Sequence, residues 1–237
     1  MHNHFNKIKK KYFNNIGDKI NLYKELKKII DSLLVNKIVL DIGSGGHLFY
    51  DYSLAKKIII LDLSKTMLDE SSNKEIVKVY QDARNMTKIK DKSVDIILII
   101  FALHHINGKS YKESVISLKK TLREADKKLL PDGEIFIVEP ILNDLLFLFQ
   151  KLFYKLTFFI LNVFKTDMVF FFNEKTIKKH ILSIFSNSNL EVSNVKINGW
   201  IDPLLGTFPG LIKIPSFFMP TSIKSFYVKK LGSSNSK

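Results

Sequence analysis

The chain contains no cysteine, which excludes disulfides, thiolate metal sites and a cysteine nucleophile together. Arginine is almost absent too: Arg84 and Arg123 are the only two among 37 basic residues, although the net charge is +14. A charge of that size points to an anionic partner, either nucleic acid or a membrane surface. Planar bidentate readout of phosphates and guanines leans on arginine, so sequence-specific nucleic-acid binding is not expected. A diffuse lysine field suits anionic lipid, or reflects no more than a Lys- and Asn-rich composition. Glycine and proline are scarce, ten and six in 237 residues, while 46% of the chain is hydrophobic and 25% charged. That is a globular composition, long enough for one domain with a full core. The opening Met1-His-Asn-His-Phe-Asn-Lys has no apolar stretch, so no signal peptide is expected and the protein reads as cytoplasmic.

The few glycines are concentrated where they matter. In Lys37-Ile-Val-Leu-Asp-Ile-Gly-Ser-Gly-Gly46 an apolar run, Ile38–Leu40, meets Asp41 and then three glycines within four positions. The run has the length of a buried parallel strand. Gly43, Gly45 and Gly46 let the chain turn sharply and bring its backbone close to whatever lies above the strand's carboxyl end. In open α/β sheets ligands bind at that place. The spacing is not the dinucleotide fingerprint, because Leu48 stands where its third glycine belongs, and no Gly-Lys-Ser/Thr follows to make a phosphate-binding loop of the Walker type.

Upstream, apolar residues from Ile16 to Leu34 recur at helical spacing, with Tyr12 and Phe13 before them as candidates to close over a ligand or to anchor the core. Downstream, strands are expected at 57–61, 76–80, 93–101 and 134–138, with helices from about Ser64 and over 110–127, and with Leu130-Pro-Asp-Gly133 as a turn into the last strand. Alternating strands and helices predict a parallel α/β sheet. Asp41, Asp62, Asp82 and Glu139 then stand at successive strand ends. An acid at the end of the second strand is where a ribose diol is gripped, since a carboxylate accepts from both hydroxyls; capping the helix near Ser64 is the plainer role for Asp62. Asp82 reads as an adenine contact or an ordinary loop acid. His104 and His105 are candidate general bases, weighed against structural roles, and at most one of two consecutive side chains is expected to face a substrate.

Together, Val39-Leu-Asp-Ile-Gly-Ser-Gly-Gly46, Leu61-Asp-Leu-Ser64 with Met67-Leu68, Gln81-Asp-Ala83, Val94-Asp-Ile96 running to His104-His105-Ile106, and Leu130-Pro-Asp-Gly133 to Glu139-Pro140 resemble the ordered motifs of class I S-adenosylmethionine-dependent methyltransferases. The nearest subgroup is the small-molecule type that includes quinone- and lipid-pathway members. The resemblance covers about residues 37–140. It implies a Rossmann-like, mostly parallel seven-stranded sheet with helices on both faces, its last two strands an antiparallel pair at the edge. It implies S-adenosylmethionine as cofactor, with Asp41, Gly43, Ser44, Gly45 and Gly46 at its amino-acid end, Asp62 at the ribose, Asp82 and Ala83 at the adenine, Leu63 and Met67 among the other cofactor-binding residues, and Phe101 beside the methyl-transfer site. His47 departs from the pattern, standing where the family has glycine. Nothing in the sequence requires a metal. Methyl transfer from a sulfonium needs alignment before it needs a base.

The second half changes character. Nine of 19 phenylalanines fall in 141–172, and nearly everything from Leu145 to Phe164 is apolar. Two mid-segment lysines argue against a membrane span of roughly 20 residues. Asp144, Lys151, Lys155 and Asn162 share one face of a continuous helix, so the segment reads either as an interfacial helix on an anionic membrane or as a cap over a hydrophobic pocket. A helix over 173–185, a strand over 190–197, an apolar Pro-containing loop over 200–220 and a last strand over 225–230 complete the chain. The expected organisation is an N-terminal helical segment (1–36), a cofactor-binding α/β core (37–140), and an apolar cap with the final strands of the same domain (141–237). The expected activity is O- or C-methylation of an apolar small molecule. The rivals are an RNA or protein methyltransferase and a non-catalytic membrane-associated protein of the same fold.

Overall fold

The computed structural model describes residues 21–46, 48–70, 76–163, 169–195, 200–201, 214–215 and 221–232. Helix α1 (Asn21–Leu34) carries Leu22, Leu26, Ile30 and Leu34 at intervals of four, and all four are buried. The predicted start at Ile16, with Tyr12 and Phe13, lies outside the described residues. Strand β1 (Ile38–Ile42) pairs in parallel with β2 (Lys57–Asp62) on one side and with β4 (Val94–Ile100) on the other. The short α2 (Lys65–Glu70) follows β2, and β3 (Val77–Tyr80) lies beyond it at the edge. Helix α3 (Tyr111–Lys128), capped by the Ser110 hydroxyl, leads to β5 (Leu129–Leu142).

Each central strand is apolar on both faces, as a sheet covered on both sides requires. Ile96 and Leu98 face the α1 side, where they pack with Leu26 and Ile30. Ile97 and Ile99 face the other side, where Leu118 and Leu122 of α3 cover them. The alternation follows directly from the strand's two-residue period.

Leu130-Pro-Asp-Gly133 is not a turn ahead of the fifth strand but a bulge inside it. The register passes from Val94↔Leu129 to Ile96↔Glu134. Pro131, which has no N–H to give a ladder, sits at such an irregularity without cost. β5 also runs on to Leu142, two residues past the expected boundary of the core at 140.

The apolar stretch over 145–164 is not one helix. It forms α4 (Asp144–Leu152), capped by Asn143, and α5 (Tyr154–Val163), with Phe153 out of helical conformation at φ −92°, ψ 11° between them. Helix α6 (Glu174–Ile184) is capped by Asn173 and buries Ile177 and Ile181. Strand β6 (Ser188–Asn194) follows; β7 (Trp200–Ile201) and β8 (Ile214–Pro215) pair as a small antiparallel ladder, while the rest of the predicted 200–220 loop lies outside the described residues. The final strand β9 (Thr221–Lys230) begins four residues before its predicted start.

The sheet order is β3-β2-β1-β4-β5-β9-β6, with β9 antiparallel to both neighbours. The antiparallel edge pair and the mostly parallel Rossmann-like sheet are as predicted. The chain works outward from β1 through β2 to β3, then crosses back to β4 and β5. That reversal opens a crevice at the carboxyl ends of β1 and β4, where ligands bind in sheets of this kind. Among the described residues no helix is long and apolar enough to cross a membrane.

Candidate active site

At the end of β1 the Asp41 side chain is 1% exposed and accepts one hydrogen bond, 2.5 Å from the Tyr50 hydroxyl. Its other oxygen, Oδ1, and Ser44 Oγ are buried and make no hydrogen bond of full geometry among the described residues, although the Ser44 hydroxyl lies near enough to favour the charged carboxyl. Burial pushes the Asp41 carboxyl up from its usual 3.8 to about 7; the Tyr50 hydrogen bond pulls the other way but does not win. A buried acceptor without a partner costs about 1–3 kcal/mol, so the site holds an unmet demand for a donor.

The turn that follows runs through three glycines in the left-handed region. Gly43, Gly45 and Gly46 have φ of +82°, +61° and +84°. A Cβ on Gly43 would come within 2.7 Å of Ala102 Cβ, and one on Gly45 within 2.8 Å of Met67 Cε. The loop is thus clasped between the exits of β2 and β4. His47 lies outside the described residues.

Asp62, at the end of β2, holds this loop: Oδ2 accepts from Gly45 N–H at 3.0 Å and Oδ1 from Ser64 N–H at 2.7 Å. The helix cap itself is Ser64, whose Oγ accepts from Met67 N–H at 3.3 Å, and Asp62 braces the turn that leads into it. A carboxylate accepts up to about four hydrogen bonds, so that role does not bar a diol as well. Leu63 is half-buried beside it and Met67 is buried in the first turn of α2. Asp82, past β3, is gripped by Arg84, whose Nε and Nη2 donate at 2.9 and 2.5 Å. Burial works against the charge, yet Arg84 outweighs it and holds the carboxyl below its usual range. Any adenine contact by Asp82 must be shared with that guanidinium; Ala83 beside it is buried.

β4 leaves the sheet abruptly. Phe101 adopts φ +53°, a left-handed conformation that a bulky side chain takes rarely and at a cost of order 1–3 kcal/mol. It is held there by its N–H on Val138 O at 2.8 Å. The ring stands edge-on to Tyr23, which in turn meets Phe49 at 4.8 Å. Leu103–His105 then form a single 3-10 turn. The two histidines do not point apart as expected of neighbours in an extended strand; the turn brings their rings to 4.1 Å. They differ in partners. Buried Glu139, at the end of β5, accepts from Leu103 N–H at 2.6 Å and meets His104 Nδ1 at 2.7 Å. His104 also stacks on Phe171 at 5.1 Å, and its carbonyl accepts from Phe170 N–H at 2.9 Å.

The structure thus gathers Asp41, the glycine turn, Asp62, Met67, Phe101, His104 and Glu139 around one crevice. Tyr50, Tyr23 and Phe49 join them unannounced, since nothing in their spacing links them to Asp41 or Phe101. Among the described residues no group of three or more His, Asp or Glu side chains is placed to hold a metal.

Residues 40–137 match the family model of a methyltransferase domain. No curated protein sequence matches the chain. Similar solved structures include a SAM-dependent methyltransferase of Thermotoga maritima described as a possible histamine N-methyltransferase, 14% identical over 98% of this chain and 100% of that one, with a TM-score of 0.61. The YcgJ protein of Bacillus subtilis is 16% identical over 88% of this chain and 98% of its own, TM-score 0.59. The 1,6-didemethyltoxoflavin-N1-methyltransferase of Burkholderia thailandensis, solved with S-adenosylhomocysteine, is 12% identical over 95% of this chain and 86% of its own, TM-score 0.56. At these identities the likeness is one of fold.

Proposed function

We propose that this enzyme, which carries a methyltransferase domain and uses S-adenosylmethionine as its methyl donor, methylates an oxygen of an apolar small molecule. The observation that carries the reading is the crevice at the glycine turn, with its buried, half-satisfied Asp41 carboxylate. The residues fit the cofactor. An ammonium group would answer the orphaned Asp41 oxygen, the glycine turn would admit close backbone approach, and Asp62 would accept from the ribose hydroxyls. When bound, the cofactor supplies an electrophilic methyl group.

The chain's own part is to align the acceptor and take its proton. Phe101, Tyr23 and Phe49 offer an aromatic wall that favours an apolar acceptor. Glu139 fixes the His104 ring through Nδ1, which leaves Nε2 as the proton-accepting nitrogen. A base so oriented suits a hydroxyl acceptor, whose proton must leave, and this favours O-methylation over C-methylation.

Calorimetric titration with S-adenosylmethionine should give micromolar binding, weakened by about 1–3 kcal/mol in Asp62→Ala, as for loss of a charged hydrogen-bond partner. Absence of binding in folded protein would leave a non-catalytic role for the fold. The base is tested separately, with a panel of phenols and quinols read by mass spectrometry. Glu139→Gln should lower kcat about 10²-fold or more and displace the pH profile, with cofactor affinity unchanged. Full turnover in that variant would remove His104 from the proton transfer.

A further inference from the structure

Seventeen large hydrophobic side chains are exposed among the described residues, and eight lie within 145–163. Leu145, Leu148, Phe149 and Leu152 form one stripe along α4, at helical spacings of three and four. Phe153 continues it across the break, its ring parallel to that of Phe149 at 6.4 Å, and Leu156, Phe159 and Val163 carry it along α5. Each is about half exposed or more, from 49% to 67%. The opposite side of the same helices is firmly seated. Phe147 packs on Tyr111 and Phe170, while buried Tyr154 donates to Gly108 O and meets Ser114 Oγ at 3.1 Å. The apolar stripe is therefore an outward face of an anchored helix pair. A contiguous apolar patch of this kind marks an interaction site.

Charge identifies the occupant. Lys151 and Lys155 are exposed on these helices, and Lys151 Nζ lies 4.7 Å over the Tyr111 ring, beside exposed Lys109 and Lys112. The acid Asp144 is bound by Lys175. A second copy of the chain, docked about a twofold axis through this patch, would bring two lysine-bearing rims together. A bilayer with anionic headgroups takes the apolar stripe into its interface and the lysines at its rim.

We infer that α4 and α5 are a membrane-docking face for anionic phospholipid bilayers. The placement relates to the crevice as well. Gln150 of α4 holds the Phe171 backbone on both sides, donating to its carbonyl at 2.8 Å and accepting from its N–H at 3.2 Å, and the Phe171 ring stacks on His104. One turn of docked helix thus stands next to the His104–Glu139 pair, where, on the function proposed above, an apolar acceptor dissolved in the bilayer would arrive.

The test is flotation of the full chain with phosphatidylcholine vesicles, with and without phosphatidylglycerol. Binding should require the anionic lipid and weaken as salt is raised. Phe149→Glu combined with Phe153→Glu should abolish flotation with an unchanged thermal transition, and Lys151→Glu with Lys155→Glu should weaken it about tenfold or more. Failure of the wild type to float, or equal flotation by the phenylalanine variant, overturns the proposal. So does a dimer in light scattering that the same variant splits, because a second copy would then cover the face. S-adenosylmethionine binding, measured in parallel, is independent of either result.

Discussion

Phe170→Ala should be the most damaging single truncation in the cap, costing about 3–5 kcal/mol in chemical denaturation. Phe170 is 0% exposed, and its ring centroid lies 5.0–6.0 Å from those of Phe172, Tyr154, Tyr111 and Phe147. Those four come from α3, α4, α5 and the irregular segment before α6, so no single neighbour can move in to fill the space. Unfilled volume adds a cavity term to the lost transfer energy. The denaturation midpoint should fall without a change in slope. Phe171→Ala is the control: its ring is half-buried and stacks on His104, so the cost should be below about 1.5 kcal/mol while activity suffers more. A Phe170→Ala variant as stable as the wild type would mean that the cap does not cohere through this ring.

The second large effect is a pH dependence opposite to that of most carboxylates. Asp41 keeps its proton in the folded, cofactor-free protein up to about pH 7, whereas the unfolded chain gives it up near 3.8. A raised folded-state value contributes stability that is fully present below the unfolded one and is lost as pH rises through the folded one. The whole displacement is worth roughly 4 kcal/mol, and the part falling between pH 5.5 and 8 about 2 kcal/mol. Asp82, Glu124, Glu134 and Asp144, whose values are lowered, are already ionised across that window. His180, lowered by burial and by Lys119 and Lys179, runs the other way, its contribution being lost as pH falls below the usual histidine value. The measurement is therefore the difference between wild type and Asp41→Asn, which removes the Asp41 contribution and leaves the rest. The wild type should lose stability relative to the variant as pH rises from 5.5 to 8. Saturating S-adenosylmethionine should abolish the trend, since an ammonium beside Asp41 favours the charged form and leaves the folded and unfolded chains equally deprotonated there. Parallel curves for the two proteins would show that Asp41 is not protonated in the fold.

These two residues mark what the sequence does and does not disclose. The order of β1 to β5 was legible because each is a short run rich in Ile and Val, and Asp41, Asp62, Asp82 and Glu139 stand at or near the ends of four of them. What those acids touch was not legible. Tyr50 reaches Asp41 only because the chain returns over the crevice after the glycine turn, and Glu139 meets His104 across 35 positions because β4 and β5 are neighbours. The break at Phe153 was hidden for a different reason. No proline or glycine marks it, and it arises because Phe147 and Phe158 both pack inward while the two helices turn about Phe153. A periodicity read over 20 residues averages across such a bend. Similarly, Leu130–Gly133 has turn chemistry, but β5 pairs with β4 on both sides of it, at Leu129 and from Glu134 onward, which makes it a bulge within one strand.

The position of β9 has a consequence for how the molecule is made. The last strand along the chain lies between β5 and β6, pairing with nine residues of the former and seven of the latter. While the polypeptide is still emerging from the ribosome, β1 to β5 can assemble in order, but β6 has no neighbour to join. It waits as an unpaired edge until Thr221–Lys230 arrives and fits between the two. Long-range pairing of this kind is slow, and an exposed edge invites association in the interval. Folding yield, rather than final stability, should therefore be the property most sensitive to changes in β9.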